Sequence, residues 1–318
     1  MSKTAFITGI TGMDGFLLSN FLLKKGYKIV GLVRKQSSHK IQNNPDIKYL
    51  LGDLNQIQEV LTKISDIEID EFYMLGGQTS IEPSWEDFVH TFDTNVSSLV
   101  HVFEHIRKNS IHSKLFYASS SEIFGNPFTS PQNENTDKHP RNPYGLSKLM
   151  SQNLVQFYRE KHNVFACCGI LYNHECEYRR RDVVTKKISS TVAKIHLGLE
   201  SELIVGNIKN RRDWTSAKDF IEGMWMTLQH FRPDDYIFSS NESREVRELI
   251  EVAFKCVGID NWEKYLKIDE RFYRDSEKFD LVGDNTKLKS IGWEPKISFE
   301  TMIKDMVYSD IEKEKNSL

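Results

Sequence analysis

The sequence has few cysteines, no long apolar run and no large excess of either charge. Its four cysteines follow no zinc-ligand spacing, and the adjacent pair Cys167-Cys168 lies in an apolar stretch typical of a buried strand. No stretch approaches the roughly 18 apolar residues that a membrane-spanning helix needs, and the N-terminus lacks the apolar segment of a signal peptide. A net charge of −3 provides no basic field for nucleic acid. We therefore expect a cytoplasmic protein without a membrane, nucleic-acid or metal partner.

What the sequence does contain begins with a glycine turn. An apolar strand at residues 5–7 leads into Thr8-Gly9-Ile10-Thr11-Gly12-Met13-Asp14-Gly15, and an amphipathic helix follows. Strand, glycine turn and helix form the context of a dinucleotide motif, because the glycines admit a pyrophosphate to the backbone and the helix N-terminus supplies N–H donors. The cofactor contacts predicted from this turn are Gly9, Thr11, Gly12, Met13, Asp14 and Gly15.

The second predicted strand, residues 28–33, ends in basic and hydroxyl side chains. An acidic residue at this position would hold a ribose 2′-hydroxyl, whereas an arginine accommodates a 2′-phosphate. Arg34, followed by Ser37 and Ser38, therefore favours NADP over NAD. The alternative is a solvated basic loop without a ligand.

Four further apolar strands are predicted at residues 47–51, 72–75, 115–118 and 164–171. Strands that alternate with helices indicate a parallel, doubly wound sheet, and such sheets bind ligands at the carboxyl ends of their strands. Polar or small residues follow these strands. They are Asp53, which could face an adenine amino group, the Gly76-Gly77-Gln78-Thr79 stretch, and Ser119-Ser120-Ser121-Glu122.

The fold class predicted from this order is α/β, a Rossmann-type doubly wound parallel sheet with a smaller C-terminal α/β substrate-binding domain. A long helix is expected at 86–108. Shorter strands at 203–205 and 236–238, with helices at 220–231 and 246–257, would build the second domain. We assign residues 1–172 and 209–235 to the cofactor domain, and residues 173–208 and 236–318 to the substrate domain.

The stretch Pro143-Tyr144-Gly145-Leu146-Ser147-Lys148 is the centre of the predicted chemistry. Tyr144 and Lys148 are four residues apart, which places both side chains on one face of a helix, and Pro143 suits its first turn. A lysine ammonium beside a phenol lowers the phenol pKa, so Tyr144 is a candidate base for a sugar hydroxyl. The pattern alone is weak, because a surface helix produces it by chance.

Together the motifs resemble extended short-chain dehydrogenase/reductases and, more narrowly, GDP-mannose 4,6-dehydratases. The similarity runs essentially end to end. Its most specific parts are Asn173-His174-Glu175, Arg212-Asp213-Trp214 and Met224-Trp225. The resemblance implies an NADP enzyme that acts on a GDP-sugar and forms a homo-oligomer, a dimer or tetramer.

The resemblance also implies roles for individual residues. Tyr144 would deprotonate the sugar 4-hydroxyl, Lys148 would tune Tyr144 and hold the nicotinamide ribose, Ser120 would bond the 4-oxygen, and Glu122 would remove the C5 proton. Alternation along an extended segment would point Ser120 and Glu122 to the same side. Further cofactor contacts would be Asp53, Leu54, Leu75, Gly76, Gly77, Gln78, His174 and Arg179. The implied substrate contacts are Thr79, Ser120, Glu122, Asn173, Lys187, Arg212, Arg274 and Glu277.

Several alternatives stay open. The substrate could be another GDP-sugar, such as a GDP-heptose, and the same Tyr and Lys would serve a C4 dehydrogenase, a 4-keto reductase or a 4-epimerase. A catalytically silent cofactor-binding scaffold is the alternative from a different class. Glu122 could merely cap a turn, His174 could be structural, and Arg212 could pair with Asp213. The loop at residues 176–181 departs from the family pattern, which leaves the exact sugar and the oligomer open.

Overall fold

The computed structural model describes residues 2–272 and 280–317. Its strands are β1 (Thr4–Thr8), β2 (Lys28–Val33), β3 (Ile47–Leu51), β4 (Glu71–Met74), β5 (Lys114–Ala118), β6 (Phe165–Leu171), β7 (Asn173–Glu175), β8 (Leu203–Val205), β9 (Arg211–Arg212), β10 (Trp214–Ser216), β11 (Asp235–Phe238), β12 (Arg244–Glu245) and β13 (Leu266–Ile268). Its α-helices are α1 (Met13–Lys24), α2 (Ile57–Lys63), α3 (Ile81–Glu86), α4 (Phe88–Phe92), α5 (Ser98–Asn109), α6 (Pro143–His162), α7 (Val184–His196), α8 (Ala217–Gln229), α9 (Val246–Lys255), α10 (Thr286–Ser290) and α11 (Phe299–Lys315).

The central sheet has seven strands in the order β11-β6-β5-β4-β1-β2-β3, and every neighbouring pair is parallel. Its strands are near-continuous apolar runs because helices cover both faces of the sheet. Helices α2, α5 and α6 bury one face and helices α1 and α8 the other. The strand order reverses between β1 and β4, which opens a crevice at the carboxyl ends of these strands. The predicted fold class is confirmed.

A second hydrophobic core lies in the C-terminal half of the chain. Helices α7, α9 and α11 enclose it together with β8 and β10. The amphipathic spacing of these helices leaves one apolar stripe on each, and the three stripes pack together. The buried side chains of this second core come from residues 188–214, 246–262 and 299–311.

The expected domain boundary at residue 235 is wrong for the sheet. Strand β11 pairs with β6 as far as Phe238, so it completes the cofactor sheet and does not belong to the second unit. Leu288 and Trp293 also pack into the core beneath α1 and α8. The chain therefore returns to the first core twice after leaving it.

The single helix expected over residues 86–108 is also wrong. Asp87 has φ −138° and ψ 83°, which ends α3, and its side chain accepts a hydrogen bond from the His90 N–H at 2.9 Å to start α4. A π-helical turn, Asp93–Ser97, then joins α4 to α5. The local hydrogen bond of Asp87 competes with the helix and interrupts it.

None of the helices within residues 2–272 and 280–317 is both long enough and apolar enough to cross a bilayer.

Candidate active site

Helix α6 places Tyr144 and Lys148 next to the end of β5. Pro143 occupies its first position, and the Asn142 side chain caps it by accepting a hydrogen bond from the Gly145 N–H at 2.7 Å. Both functional side chains are buried. The Lys148 ammonium lies 5.9 Å from the centre of the Tyr144 ring and donates to the Ala118 carbonyl at 2.7 Å. The predicted helix and shared face are confirmed.

Burial dominates the ionisation of this pair. It raises the pKa of Tyr144 to about 12, although a hydrogen bond with Ser120 opposes the change, and the negative charge of Glu122 raises the pKa further. Burial lowers the pKa of Lys148 to about 8. The expected lowering of the Tyr144 pKa by Lys148 is therefore wrong, because the spacing of four residues predicts proximity and says nothing about desolvation.

Ser120 and Glu122 follow the end of β5. The expected strand alternation is wrong, since β5 ends at Ala118 and residues Ser121–Ile123 form a 3-10 turn. The Ser120 side chain caps this turn by accepting from the Glu122 N–H at 3.3 Å. The Glu122 side chain does not cap this turn. Its Oε2 accepts a hydrogen bond from Asn142 Nδ2 at 2.9 Å. The turn still brings both residues close enough to Tyr144 to influence its pKa.

The glycine turn lies between β1 and α1, as predicted. Gly9 has φ +71°, and a Cβ there would meet the Gly76 Cα at 2.9 Å, so the turn closes against the end of β4 only with glycine. Thr11, Gly12, Met13, Asp14 and Gly15 complete the turn and begin the helix. Gly12 offers no capping side chain, so the N–H groups of the first turn of α1 remain available to an anion.

His174 in β7 contacts this turn. Its Nε2 lies 3.1 Å from both carboxylate oxygens of Asp14, and its Nδ1 contacts the Tyr172 carbonyl at 2.8 Å. Burial lowers the pKa of His174, but the neighbouring Asp14 carboxylate outweighs burial and the net pKa is raised. Arg179 lies beside this pair and contacts the buried Glu175 carboxylate at 3.0 Å.

The remaining cofactor candidates follow their strands. Arg34 and Ser37 lie at the end of β2, where a 3-10 helix, Lys35–Lys40, begins. Asp53 caps the next 3-10 turn, which contains Leu54, by accepting from the Asn55 N–H at 3.1 Å. Leu75, Gly76, Gly77 and Gln78 directly follow β4, and Thr79 precedes α3. All of them lie at the carboxyl edge of the sheet.

Of the substrate candidates, Asn173 in β7 pairs with Trp214 in β10, and Arg212 in β9 pairs with Arg244 in β12. Asn173 Nδ2 donates to the Asp213 carbonyl at 3.3 Å. Lys187 lies near the start of α7. Arg274 and Glu277 lie outside the described residues, and their roles stay predictions.

A match to one protein-family model identifies the family of this chain. A model described as GDP-mannose 4,6 dehydratase matches residues 6–306. The chain belongs to the GDP-mannose 4,6-dehydratase family. A GDP-mannose 4,6 dehydratase of Arabidopsis thaliana is 38% identical to it over 98% of this chain and 90% of the relative. The human GDP-mannose 4,6 dehydratase is 36% identical over 98% and 92% of the two chains.

Solved structures support the fold of this dehydratase-family chain. The structure of RMD from Pseudomonas aeruginosa complexed with NADPH has a TM-score of 0.82 and 21% identity, and the match covers 98% of this chain and all of that one. The dTDP-glucose 4,6-dehydratase of Bacillus anthracis in complex with NAD has a TM-score of 0.84 and 19% identity over 99% and 98% of the chains.

The family cofactor, NADP, fits the residues beside the glycine turn. A cavity of about 460 Å³ opens there, with Thr11, Gly12 and Met13 in its wall. Five cationic and three acidic side chains line it, and Lys186 is paired with Asp310: Lys40, Arg179, Arg181, Lys186 and Lys313, with Glu177, Asp310 and Glu314. Backbone N–H groups at a helix N-terminus and an excess of cations suit the phosphates of NADP.

The sequence does not predict the hydrogen-bonding roles of three residues of this dehydratase-family site, Asn95, Asp213 and Asn142. Asn95 bonds both the Gln78 backbone and the Ser147 hydroxyl, which ties the end of β4 to α6. Asp213 accepts four hydrogen bonds from Ser240, Asn241 and Gly283. Asn142 contacts Glu122. Their partners are distant in sequence, and only the π-helical turn around Asn95 marks a position often used for function.

Proposed function

We propose that this chain converts GDP-mannose into GDP-4-keto-6-deoxymannose by loss of water. The observation that carries the proposal is the position of Glu122, whose carboxylate lies beside Tyr144 and Ser120 and is held by Asn142. Oxidation at C4 needs only a base for the 4-hydroxyl. Dehydration also needs a group for the C5 proton, and the site supplies both.

Each side chain has one task in this reaction. When bound, NADP would supply the hydride acceptor and donor, and the positive charge of its oxidised form would favour the Tyr144 phenolate. Tyr144 Oη takes the proton of the 4-hydroxyl while Ser120 holds the 4-oxygen. Burial lowers the pKa of Lys148 to about 8, so its side chain is mainly charged below that pH. In this form Lys148 would hold the nicotinamide ribose.

Glu122 then acts on the 4-ketone. Its carboxylate takes the C5 proton, and the C5–H electron pair is delocalised onto the 4-oxygen as an enolate. When the C6–O bond breaks, the enolate electrons form the C5=C6 double bond, and Glu122 returns its proton to the departing hydroxide. Water leaves and the Glu122 carboxylate is restored. The hydride taken from C4 would then return to C6 while a solvent-derived proton adds to C5, which gives the 4-keto-6-deoxy product with no net oxidation.

Product analysis by mass spectrometry tests this proposal. The protein is incubated with a panel of GDP-sugars, including GDP-mannose and a GDP-heptose, without added cofactor. We expect water loss from GDP-mannose and, in deuterated water, one deuterium at C5. A 4-epimer would indicate a 4-epimerase, a C4 ketone without water loss would indicate a C4 dehydrogenase, and a reduced sugar would indicate a 4-keto reductase. Each of these products would contradict the dehydratase proposal.

The binding site for the diphosphate of the GDP-sugar is assigned from the charge of the candidate side chains. We propose that Asn173, Lys187, Arg212, Arg274 and Glu277, with Thr79, bind the GDP-sugar, and that the cations among them face its diphosphate. Support comes from the β7–β10 pairing, which places Asn173 beside the strand that follows Arg212.

Arg34 is predicted to select NADP. Arg34→Asp should weaken NADP binding by roughly 1–3 kcal/mol, because charge-assisted hydrogen bonds to a 2′-phosphate are lost, and should leave NAD binding nearly unchanged. Calorimetric titration with both dinucleotides measures the difference. Lys35→Asp makes the same charge change one residue further on and serves as the control. Finding NAD alone in extracts of the denatured protein would contradict the assignment.

We also propose that the chain forms a homo-oligomer in the cytoplasm. The four cysteines are free thiols, which suits a reducing compartment. Six large apolar side chains are exposed on α3, α4 and α6, and these helices pack against each other: Trp85, Phe88, Val89, Leu146, Met150 and Phe157. Leu146, Met150 and Phe157 share one face of α6. A second copy would bury this apolar patch.

The double substitution Met150→Glu and Phe157→Glu should convert the oligomer to a monomer, since two charges would enter the buried patch. Light scattering coupled to size-exclusion chromatography gives the mass. Phe231→Glu is the control, because Phe231 is 81% exposed and lies at the end of α8, away from these helices. A wild-type mass of one chain would rule out the assembly.

A further inference from the structure

The Asn142 side chain links Glu122, the proposed base for the C5 proton, to helix α6, which carries Tyr144. Asn142 Oδ1 accepts from the Gly145 N–H at 2.7 Å, and Asn142 Nδ2 donates to Glu122 Oε2 at 2.9 Å. The first bond caps α6 two residues before Tyr144. The second holds one oxygen of Glu122.

The backbones of the two segments are also in close contact. A Cβ on Gly145 would lie 2.6 Å from the Glu122 carbonyl oxygen, so the first turn of α6 rests directly on the turn Ser121–Ile123. Small displacements of one segment are therefore passed to the other. The Asn142 amide adds a bond that depends on the side chain of Glu122 alone.

We propose that Asn142 is a positioning residue for dehydration, an inference that rests on the function proposed above. Its side-chain N–H donates to Glu122 Oε2 at 2.9 Å and so fixes the orientation of the carboxylate. Oε1 makes no hydrogen bond within residues 2–272 and 280–317 and is left to take the C5 proton. The cap on α6 keeps Tyr144 in register with that oxygen.

Two substitutions separate the roles of Asn142. Both Asn142→Asp and Asn142→Ser keep an oxygen that can cap α6, but neither can donate to Glu122 as the amide does. In Asn142→Asp two carboxylates face each other, which raises the pKa at which the pair loses its last proton. In Asn142→Ser the hydroxyl is too short to reach Glu122, and no second charge is introduced.

The expected result is a selective loss of dehydration. Both variants should form the C4 ketone at the wild-type rate, measured by quenching with borodeuteride and locating deuterium at C4. Water loss and C5 exchange in deuterated water should each fall about tenfold or more, as expected when a general base is misplaced. The KM for GDP-mannose and the melting temperature should change little.

The pH profile distinguishes positioning from a structural role. The acidic limb of kcat should move to higher pH in Asn142→Asp and stay in place in Asn142→Ser. Tyr144 has a pKa of about 12 and lies outside this limb, whereas Lys148, His174 and Asp14 are the same in both variants, so a shift confined to Asn142→Asp reports the added carboxylate.

The controls keep this inference separate from the function it rests on. Asn142→Ala loses cap and contact together and should lose stability as well. If Asn142→Asp and Asn142→Ser both dehydrate normally with an unshifted limb while Asn142→Ala is impaired, Asn142 only caps the helix and the inference is wrong. If the wild-type protein itself releases no water from GDP-mannose, the proposed function fails first.

Discussion

Tyr144→Phe should abolish turnover of GDP-mannose while the fold stays intact. Phenylalanine keeps the buried ring, but it removes the oxygen that accepts the 4-hydroxyl proton and the hydrogen bond with Ser120. The loss should be at least the roughly 10²–10⁴-fold typical of a general base, and oxidation at C4 should disappear with dehydration. Product formation is followed by mass spectrometry and the fold by circular dichroism.

Tyr158→Phe is the matched control, because it makes the same chemical change on the same helix. The Tyr158 hydroxyl donates to Glu104 at 3.0 Å and its ring stacks on Phe103, away from the site. Its loss should cost about 1 kcal/mol of stability, one ordinary hydrogen bond, with normal turnover. Near-normal activity of Tyr144→Phe with a native spectrum would remove Tyr144 from the mechanism.

Glu122→Gln should separate oxidation from dehydration. Glutamine keeps the size of the side chain and can still accept the hydrogen bond of Asn142, but it cannot take the C5 proton. The variant should still oxidise C4 and should release water at least about 10²-fold more slowly than wild type. Borodeuteride trapping detects the ketone, and deuterium exchange at C5 reports the missing proton transfer.

Glu160→Gln, an exposed position on the same helix as Tyr144, provides the control for a lost carboxylate and should dehydrate normally. Should Glu122→Gln dehydrate at the wild-type rate, Glu122 would not be the C5 base and the proposed dehydratase mechanism would be wrong. Loss of C4 oxidation in the same variant would instead assign Glu122 to substrate placement.

The sheet and the glycine turn were predictable because their signals are local. Apolar runs of four to eight residues, each followed by small or polar residues, define parallel strands and their ligand edge without tertiary information. The spacing of Tyr144 and Lys148 likewise predicts their shared face. The turn also predicts a glycine at position 9, although the close approach of Gly76 that excludes a Cβ there is seen only in the folded chain.

The rest depends on contacts between distant segments. The Arg212-Asp213-Trp214 motif does not predict the hydrogen bonds of Asp213, because Gly283 and Ser240 reach it only in the folded chain. Burial raises its pKa to about 6 and that of Tyr144 to about 12, and neither follows from residue spacing. The prediction of one helix over residues 86–108 is wrong because of a local contact. The hydrogen bond between the Asp87 side chain and the His90 N–H interrupts the helix despite the favourable apolar pattern.

The late position of β11 in the sequence has a consequence for synthesis on the ribosome. Strand β6 is an open, apolar sheet edge until Asp235–Phe238 has emerged and paired with it. At normal translation speeds the intervening segment takes on the order of several seconds to make. During this time the nascent chain exposes an edge that can recruit other strands. The cofactor sheet therefore closes only after α7, β8 and β10 of the second core have been made, and the β6 edge stays unpaired in the nascent chain until then.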